Sequence, residues 1–200
     1  QEPDGYFGPR PGKKNRDLWP NMVMLFAFQS RYEALGDPEI LPFMLRYFKY
    51  QWELPEEDLL PESWQKVRGG DNLESVYWLY NRTGEPFLLD LAHKIFRRTE
   101  DWTSGLITQH GVNITMGIRQ PGVYYQQTQD PKHWEAVERN YKTIMDEYGQ
   151  MPGGMFGADE NYVPGHADPS QAAETCSIVE FMYSFESLLK ISGDPMYADR

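Results

Sequence analysis

Apolar residues recur along the chain at helical spacing, in segments separated by short polar turns. Leu18, Met22, Leu25 and Phe26 follow i, i+4, i+7, i+8 spacing, which places them on one face of a helix. No segment alternates apolar and polar residues between turn signals, so we expect few strands. The pattern predicts an all-α chain of about eight helices in paired hairpins, at about 18–35 with 38–51, 72–83 with 86–98, 111–128 (kinked at Pro121) with 131–148, and 171–192 with a helix starting at Pro195.

A short turn signature joins the two helices of each predicted hairpin. Glycine can end a helix in the left-handed conformation, an acidic residue can cap the next helix, and proline suits its first turn. The interval between the last two copies is longer than the others. A repeat of this kind predicts αα-hairpins in an open solenoid or a closed α/α toroid. The copies are Gly36-Asp37-Pro38, Gly84-Glu85-Pro86, Gln129-Asp130-Pro131 and Gly193-Asp194-Pro195.

The connections between hairpins, at about 52–71, 99–110 and 149–170, are longer than these turns. If the tight turns lie at one end of the array, the longer connections lie at the other end, where a toroid has its funnel. Binding and catalytic residues are common on such loops. The candidate side chains there are Trp64, Trp102, His110, Gln150, Asp159, Glu160, His166 and Asp168.

The longest connection contains Gly153-Gly154-Met155-Phe156-Gly157-Ala158-Asp159-Glu160. Three glycines so close together allow a tight backbone turn and close approach to a ligand. Glu160 on this loop, beside Asp159 and aromatic residues, is a candidate general acid. The alternative is a solvated surface loop that carries an Asp-Glu pair.

Glu174-Thr175-Cys176 lies at the start of the fourth hairpin. At a helix start, Glu174 and Cys176 can both turn toward one ligand. A cysteine near a helix N-terminus is expected to have a lowered pKa, which suits nucleophilic attack or zinc ligation. Zinc needs about four ligands, so His110, His166 or residues beyond Arg200 would have to complete a site. The alternative is a small buried cysteine that fills a gap between helices.

Two further positions carry polar side chains at helical spacing. Glu180 lies four residues after Cys176 and shares a helix face with it. Because the surrounding run is apolar, the Glu180 carboxylate needs a partner or faces the funnel. His110 and Asn113 lie one turn apart at the start of the third hairpin, as either a ligand-binding pair or a helix-capping cluster.

Composition narrows the classes of function. The net charge is −11, and the one basic patch lies in the Gly/Pro-rich arm of residues 1–16, which argues against nucleic acid and anionic membranes as partners. No apolar run is long enough to span a membrane. The single cysteine excludes an intramolecular disulfide. The 13 Tyr, 10 Phe and 6 Trp residues fill a helical core or line a carbohydrate groove. No pattern indicates an oligomeric state.

An ordered set of motifs across nearly the whole chain resembles glycoside hydrolase family 127. That group includes β-L-arabinofuranosidases and relatives that act on plant pectin side chains. The motifs are Gly5-Tyr6-Phe7-Gly8-Pro9, Trp19-Pro20-Asn21-Met22, Gly70-Asp71-Asn72, His110-Gly111-Val112-Asn113, Gly149-Gln150, Asp159-Glu160, Asp168-Pro169 and Glu174-Thr175-Cys176.

The resemblance implies an (α/α)6 barrel followed by β-sandwich domains. Residues 1–200 would then form a single, partial catalytic domain of about eight of the barrel's twelve helices, with the rest beyond Arg200. It also implies that Glu160 is the general acid/base and that Glu174 and Cys176 bind zinc with a later cysteine pair, which includes the nucleophile. Without zinc, Glu160 would share the acid and base roles with Glu180 or Glu174.

The sequence therefore predicts a bacterial, periplasmic or extracellular glycoside hydrolase that removes terminal sugars from pectic oligosaccharides. The alternatives are another α/α-toroid carbohydrate enzyme (a polysaccharide lyase or an unsaturated-uronide hydrolase) and a non-catalytic α-solenoid scaffold. The stretched interval with its acidic loop favours an enzyme, because a scaffold would have nearly equal repeats. The predicted substrate-binding side chains are His110, Asn113, Gln150, Asp159 and Trp64.

Overall fold

The computed structural model describes residues 1–8, 17–150 and 154–200. These form two compact units, Gln1–Glu100 and Asp101–Arg200. Gly153 of the predicted glycine-rich loop and the basic side chains of the N-terminal arm lie outside the described residues. Residues 1–4 are exposed, whereas Tyr6 is buried and the Phe7 carbonyl accepts a 2.8 Å hydrogen bond from Asn21, so this part of the N-terminal arm is packed.

Both units consist of helical hairpins, which confirms the predicted all-α class. The described ranges contain isolated β-bridges but no strand. Among their helices, none has both the length and the apolar character needed to cross a membrane. The first unit contains α1 (Trp19–Leu35), α2 (Ile40–Glu53), a 3-10 turn (Glu56–Asp58), α3 (Ser63–Val67), α4 (Gly69–Thr83) and α5 (Phe87–Arg98). The second contains α6 (Gly111–Gly117), α7 (Arg119–Thr128), α8 (Pro131–Tyr148), α9 (Thr175–Ser192) and α10 (Met196–Asp199).

The turn signatures have the geometry that their residues predict. Gly36, Gly84 and Gly193 end their helices with φ of 63°, 68° and 69°. Gln129 takes the same left-handed conformation, at φ 54°, without being glycine. Asp130 caps α8 by accepting a 3.1 Å hydrogen bond from the N–H of Lys132. The predicted helix ends are therefore confirmed, including at the copy that lacks glycine. The predicted helix start, an acidic N-cap followed by proline in the first turn, is found at α8 but is wrong for α2, α5 and α10, whose N-cap residues Glu39, Pro86 and Pro195 make no side-chain capping hydrogen bond.

The first helix of the third hairpin is divided into α6 and α7 at Ile118, whose φ and ψ of −56° and −39° remain helical. The predicted cause is Pro121. A proline has no N–H for the carbonyl four residues earlier, which here belongs to Gly117. The helix is interrupted next to that carbonyl.

Trp102 was predicted among the candidate side chains of the long connections, and that prediction is wrong. The residue is fully buried, and its carbonyl accepts a 2.8 Å hydrogen bond from the side chain of Asn140. Its indole lies against Gly117, where an added Cβ would overlap the ring. The connection folds back because this large apolar ring gains more from burial than from exposure, and Trp102 belongs to the core of the second unit.

Candidate active site

The two long connections of the second unit meet at the start of α6. The N–H of Gly111 donates to the carbonyl of Glu160 at 2.7 Å, and the N–H of Tyr162 donates to the carbonyl of Gln109 at 3.0 Å. His110 and Asn161 form an isolated antiparallel bridge between these hydrogen bonds. For these two connections, the predicted convergence at one end is confirmed.

The segment before α9 is attached to the same loop, and this corrects a predicted helix boundary. We expected a helix from Gln171, but α9 begins at Thr175. The N–H of Glu174 donates to the carbonyl of Ala158 at 3.1 Å, and Glu174 has an extended φ/ψ of −66°/135°. Because this cross-loop bond fixes an extended backbone, residues 171–174 do not join the helix.

Asp159 and Glu160 both have exposed side chains. The backbone of Glu160 is nevertheless fixed, because its carbonyl is bound by Gly111. The Glu160 side chain makes no hydrogen bond or ion pair within the described residues. The site thus presents an accessible carboxyl group on a fixed main chain.

His110 is the N-cap residue of α6, but its side chain makes no capping hydrogen bond. Its Nδ1 atom is buried and has no hydrogen-bond partner in the described part of the chain. The same holds for the hydroxyl of fully buried Ser177, which lies 2.9 Å from where a Cβ of Gly111 would be. Buried polar atoms are rarely left unpaired, so this geometry favours the ligand-binding interpretation of His110 over the capping one.

The remaining predicted binding residues lie in different settings. Gln150 donates its side-chain amide to the carbonyl of Gln171 at 2.6 Å, so it braces the loop. Asn113 is half-buried on the first turn of α6. Trp64 lies in the first unit, where its indole nitrogen is 3.3 Å from both carboxylate oxygens of Asp17.

Cys176 is exposed, so it does not fill a gap between helices. Its thiol donates a hydrogen bond to Oε1 of Glu174. This hydrogen bond, together with partial burial and the negative charge of Glu174, raises the pKa of the Cys176 thiol. The predicted lowering by the helix N-terminus is therefore wrong, because ionisation would break the bond and place two anions together.

Glu174 and Cys176 fit part of a zinc site. A carboxylate and a thiolate are both zinc ligands, and Oε2 of Glu174 is buried without a partner among the described residues. Within those residues, no group of three His, Cys, Asp or Glu side chains could hold a metal ion. The described chain therefore offers two of about four ligands.

Glu180 has the partner that its apolar surroundings require. Its Oε2 lies 3.4 Å from the guanidinium of Arg119, whose side chain is fully buried, whereas the Glu180 side chain is 27% exposed. Sequence reasoning missed Arg119 and Ser177. For Arg119, the available signal was a charged residue in a predicted helix between the apolar residues Ile118 and Val123. Ser177 gave no signal, since a serine beside Cys176 is unremarkable in sequence.

Comparison with known proteins identifies the family. A family model described as the β-L-arabinofuranosidase GH127 catalytic domain matches residues 1–200. Searches of curated proteins and of solved structures gave no match. Because the family model covers the whole chain, and because members of this family hydrolyse glycosidic bonds, the chain belongs to the GH127 β-L-arabinofuranosidase family and is a glycoside hydrolase.

Proposed function

We propose that this enzyme releases a terminal L-arabinofuranose, or a related pectic sugar, from plant cell-wall oligosaccharides, with Glu160 as its general acid. The observation that carries the proposal is the pair of backbone bonds, Gly111 to Glu160 and Glu174 to Ala158, which join the predicted acid, binding and metal residues. We propose further that the enzyme is bacterial and acts in the periplasm or outside the cell, because polymeric cell-wall substrates are found there.

Glu160 suits a general acid for a geometric reason. A general acid must come within hydrogen-bond reach of the leaving-group oxygen, so its carboxyl group must be accessible while its backbone stays fixed. Exposure of the side chain and the 2.7 Å bond to its carbonyl meet both needs. His110 and Asn113, on the adjoining start of α6, are proposed to bind the sugar, together with Asp159.

Zinc would be held on this chain by Glu174 and Cys176. When bound, the ion supplies positive charge that favours thiolate over thiol. Glu174 accepts a hydrogen bond from the thiol on one carboxylate oxygen and keeps the other buried and unpaired among the described residues. The thiol hydrogen between Cys176 and Glu174 would be replaced by a bound cation and released to solvent as a proton. The nucleophile implied by the family resemblance is not among residues 1–200.

The charges of the candidate site favour a neutral terminal sugar over a uronide. Asp159, Glu160, Glu174 and Glu180 contribute carboxyl groups, whereas Arg119 is fully buried and paired. A uronate would meet like charges, which disfavour binding. These observations weigh against the uronide hydrolase and lyase alternatives, and membership of a hydrolase family weighs against a non-catalytic scaffold.

The proposed acid can be tested by its dependence on the leaving group. General acids contribute about 10²- to 10⁴-fold, so we expect Glu160→Gln to lower kcat by that range on pectic arabino-oligosaccharides. The loss on 4-nitrophenyl β-L-arabinofuranoside should be much smaller, because 4-nitrophenolate leaves without protonation. Glu135→Gln, at an exposed position on α8, is the matched control. Equal losses on both substrates, or unchanged turnover, would reject the role.

A further inference from the structure

One flank of α9 forms a polar strip beside the proposed active site. Cys176, Glu180, Tyr183 and Ser187 recur at i, i+4, i+7 and i+11 and so share a face of the helix. Their exposure decreases along the helix: Cys176 is exposed, Glu180 and Tyr183 are half-buried, and Ser187 is buried. The strip therefore opens at Cys176 and closes at Ser187, about three turns further on, with the carboxylate of Glu180 between these ends.

Arg119 fixes the inner side of this strip. Its guanidinium donates to the hydroxyl of Ser184 at 2.8 Å, and that hydroxyl donates to the carbonyl of Thr115 at 2.5 Å. The guanidinium also lies 4.8 Å from the ring centre of Tyr183. A buried charge needs an ionic partner, and Glu180 supplies a carboxylate at 3.4 Å. Arg119 is thus held by α9, whose Ser184 is itself bound to α6 through the carbonyl of Thr115, and it lies where it can orient Glu180.

The ion pair leaves part of the Glu180 carboxylate available. Charge-assisted N–H···O bonds are normally about 2.7–2.9 Å long, so a separation of 3.4 Å to Oε2 is a loose one. Oε1 has no hydrogen-bond partner within the described residues, and the side chain is partly exposed. A carboxylate accepts hydrogen bonds and donates none. Glu180 is therefore an oriented acceptor for hydroxyl groups.

We propose that Glu180 binds a hydroxyl of the terminal sugar and orients it for hydrolysis, and that Arg119 is the positioning residue that holds the carboxylate in place. The proposal rests on the glycosidase function proposed above. It assigns Glu180 to substrate orientation and leaves the proton donation to Glu160.

The test is a cycle between protein variants and deoxy substrates. The probes are 4-nitrophenyl β-L-arabinofuranoside and its 2-deoxy, 3-deoxy and 5-deoxy analogues, assayed with the full-length enzyme. Losing a hydrogen bond to a charged group corresponds to about 10- to 100-fold in kcat/KM. For one analogue, we expect kcat/KM of the wild type to fall by that factor relative to the parent substrate. In Glu180→Gln the same comparison should give a fall of less than about 2-fold. Glu186→Gln, on the same helix in an exposed pair with Lys190, should behave as the wild type does.

Arg119 is tested by the same cycle. Arg119→Lys keeps the charge but loses the planar fork of donors, so it should weaken discrimination of the same hydroxyl and raise KM more than it lowers kcat. Ser184→Ala, which removes the anchor of Arg119, should act in the same direction if the lysine variant does not fold. If Glu180→Gln loses as much kcat/KM on each deoxy analogue as the wild type does, the inference about Glu180 is overturned, while the proposed glycosidase function is not. A wild-type enzyme that hydrolyses none of the probes overturns the proposed substrate as well.

Discussion

At Gly111, the addition of a single methyl group should lower kcat while the protein still folds. It is the first residue of α6, and its N–H holds the carbonyl of Glu160 at 2.7 Å. A Cβ added there would lie 2.9 Å from the hydroxyl of Ser177, 3.0 Å from Cβ of Ala158 and 3.6 Å from the carbonyl oxygen of Glu160. Gly111→Ala therefore presses directly on the loop that carries the proposed acid.

The expected losses of stability and of kcat in Gly111→Ala follow from these contacts. Carbon atoms pack at about 3.5–4.0 Å, so Ala158 has to move away by about 0.5–1 Å. Overpacking costs about 1–3 kcal/mol, and alanine regains up to about 1 kcal/mol relative to glycine in a helix, which leaves a modest net loss of stability. A misplacement of about 1 Å can cost about 100-fold in rate. We expect kcat to fall by about 10- to 100-fold in a protein that still folds.

The control is Gly122→Ala in α7. A Cβ there would lie 2.7 Å from the Cδ2 atom of Leu188, which is the mobile end of a core side chain, so the change tests crowding without moving Glu160. Both variants should be assayed for kcat on pectic arabino-oligosaccharides, whose leaving group needs protonation, and for Tm by thermal unfolding. Wild-type kcat in Gly111→Ala, or an equal loss of kcat in both variants, would refute the claim that the Gly111 contact positions the loop.

Three further predictions concern the scaffold. Gln129→Gly should raise Tm slightly, because glycine relieves a left-handed conformation that costs other residues about 1 kcal/mol. Gly84→Ala, in the same conformation with open space around it, should lower Tm. The opposite changes in Tm would contradict the role of these two turn positions. Trp102→Ala should destabilise the enzyme by about 3–5 kcal/mol in denaturant unfolding. A stable but inactive variant would contradict this structural role and indicate that Trp102 acts in the active site. Burial lowers the pKa of His133, so the neutral ring is favoured in the folded state. Stability should therefore decline as pH falls through the ordinary histidine pKa of about 6.5, more than in His133→Gln, and parallel pH profiles would contradict this.

The hairpins could be predicted from the sequence because their boundaries are set by local chemistry. A glycine after an apolar-periodic segment, followed by an acid and a proline, specifies the end of one helix, and the next helix starts at the proline or one to two residues after it. At Gln129 the neighbours of the turn carried this information without the glycine. Its left-handed φ of 54° shows that position within the repeat predicted the backbone better than residue identity did.

The start of α9 and the pKa of Cys176 could not be predicted, because both depend on a contact made across a loop. The bond from Glu174 to the carbonyl of Ala158 competes with helix formation in residues 171–174, and nothing local to those residues signals it. The same bond fixes Glu174 as the N-cap residue two positions before Cys176, where its carboxylate accepts a hydrogen bond from the thiol. One non-local pairing thus changed a helix boundary and reversed the direction of a pKa shift.

The Arg119–Glu180 pair lies between these two cases, and it indicates how such sites can be found from sequence. Each is a charged residue within a helical segment whose neighbours on that face are buried, and a buried charge without a partner is costly. Two such residues in one compact unit therefore predict each other, although 61 positions separate them. The apolar run around Glu180 indicates that its carboxylate needs a partner, but the loop motifs that predicted the site do not include Arg119. A search of the predicted buried helix faces for a second charge would have reached Arg119, and with it the side chain that orients the proposed sugar-binding carboxylate.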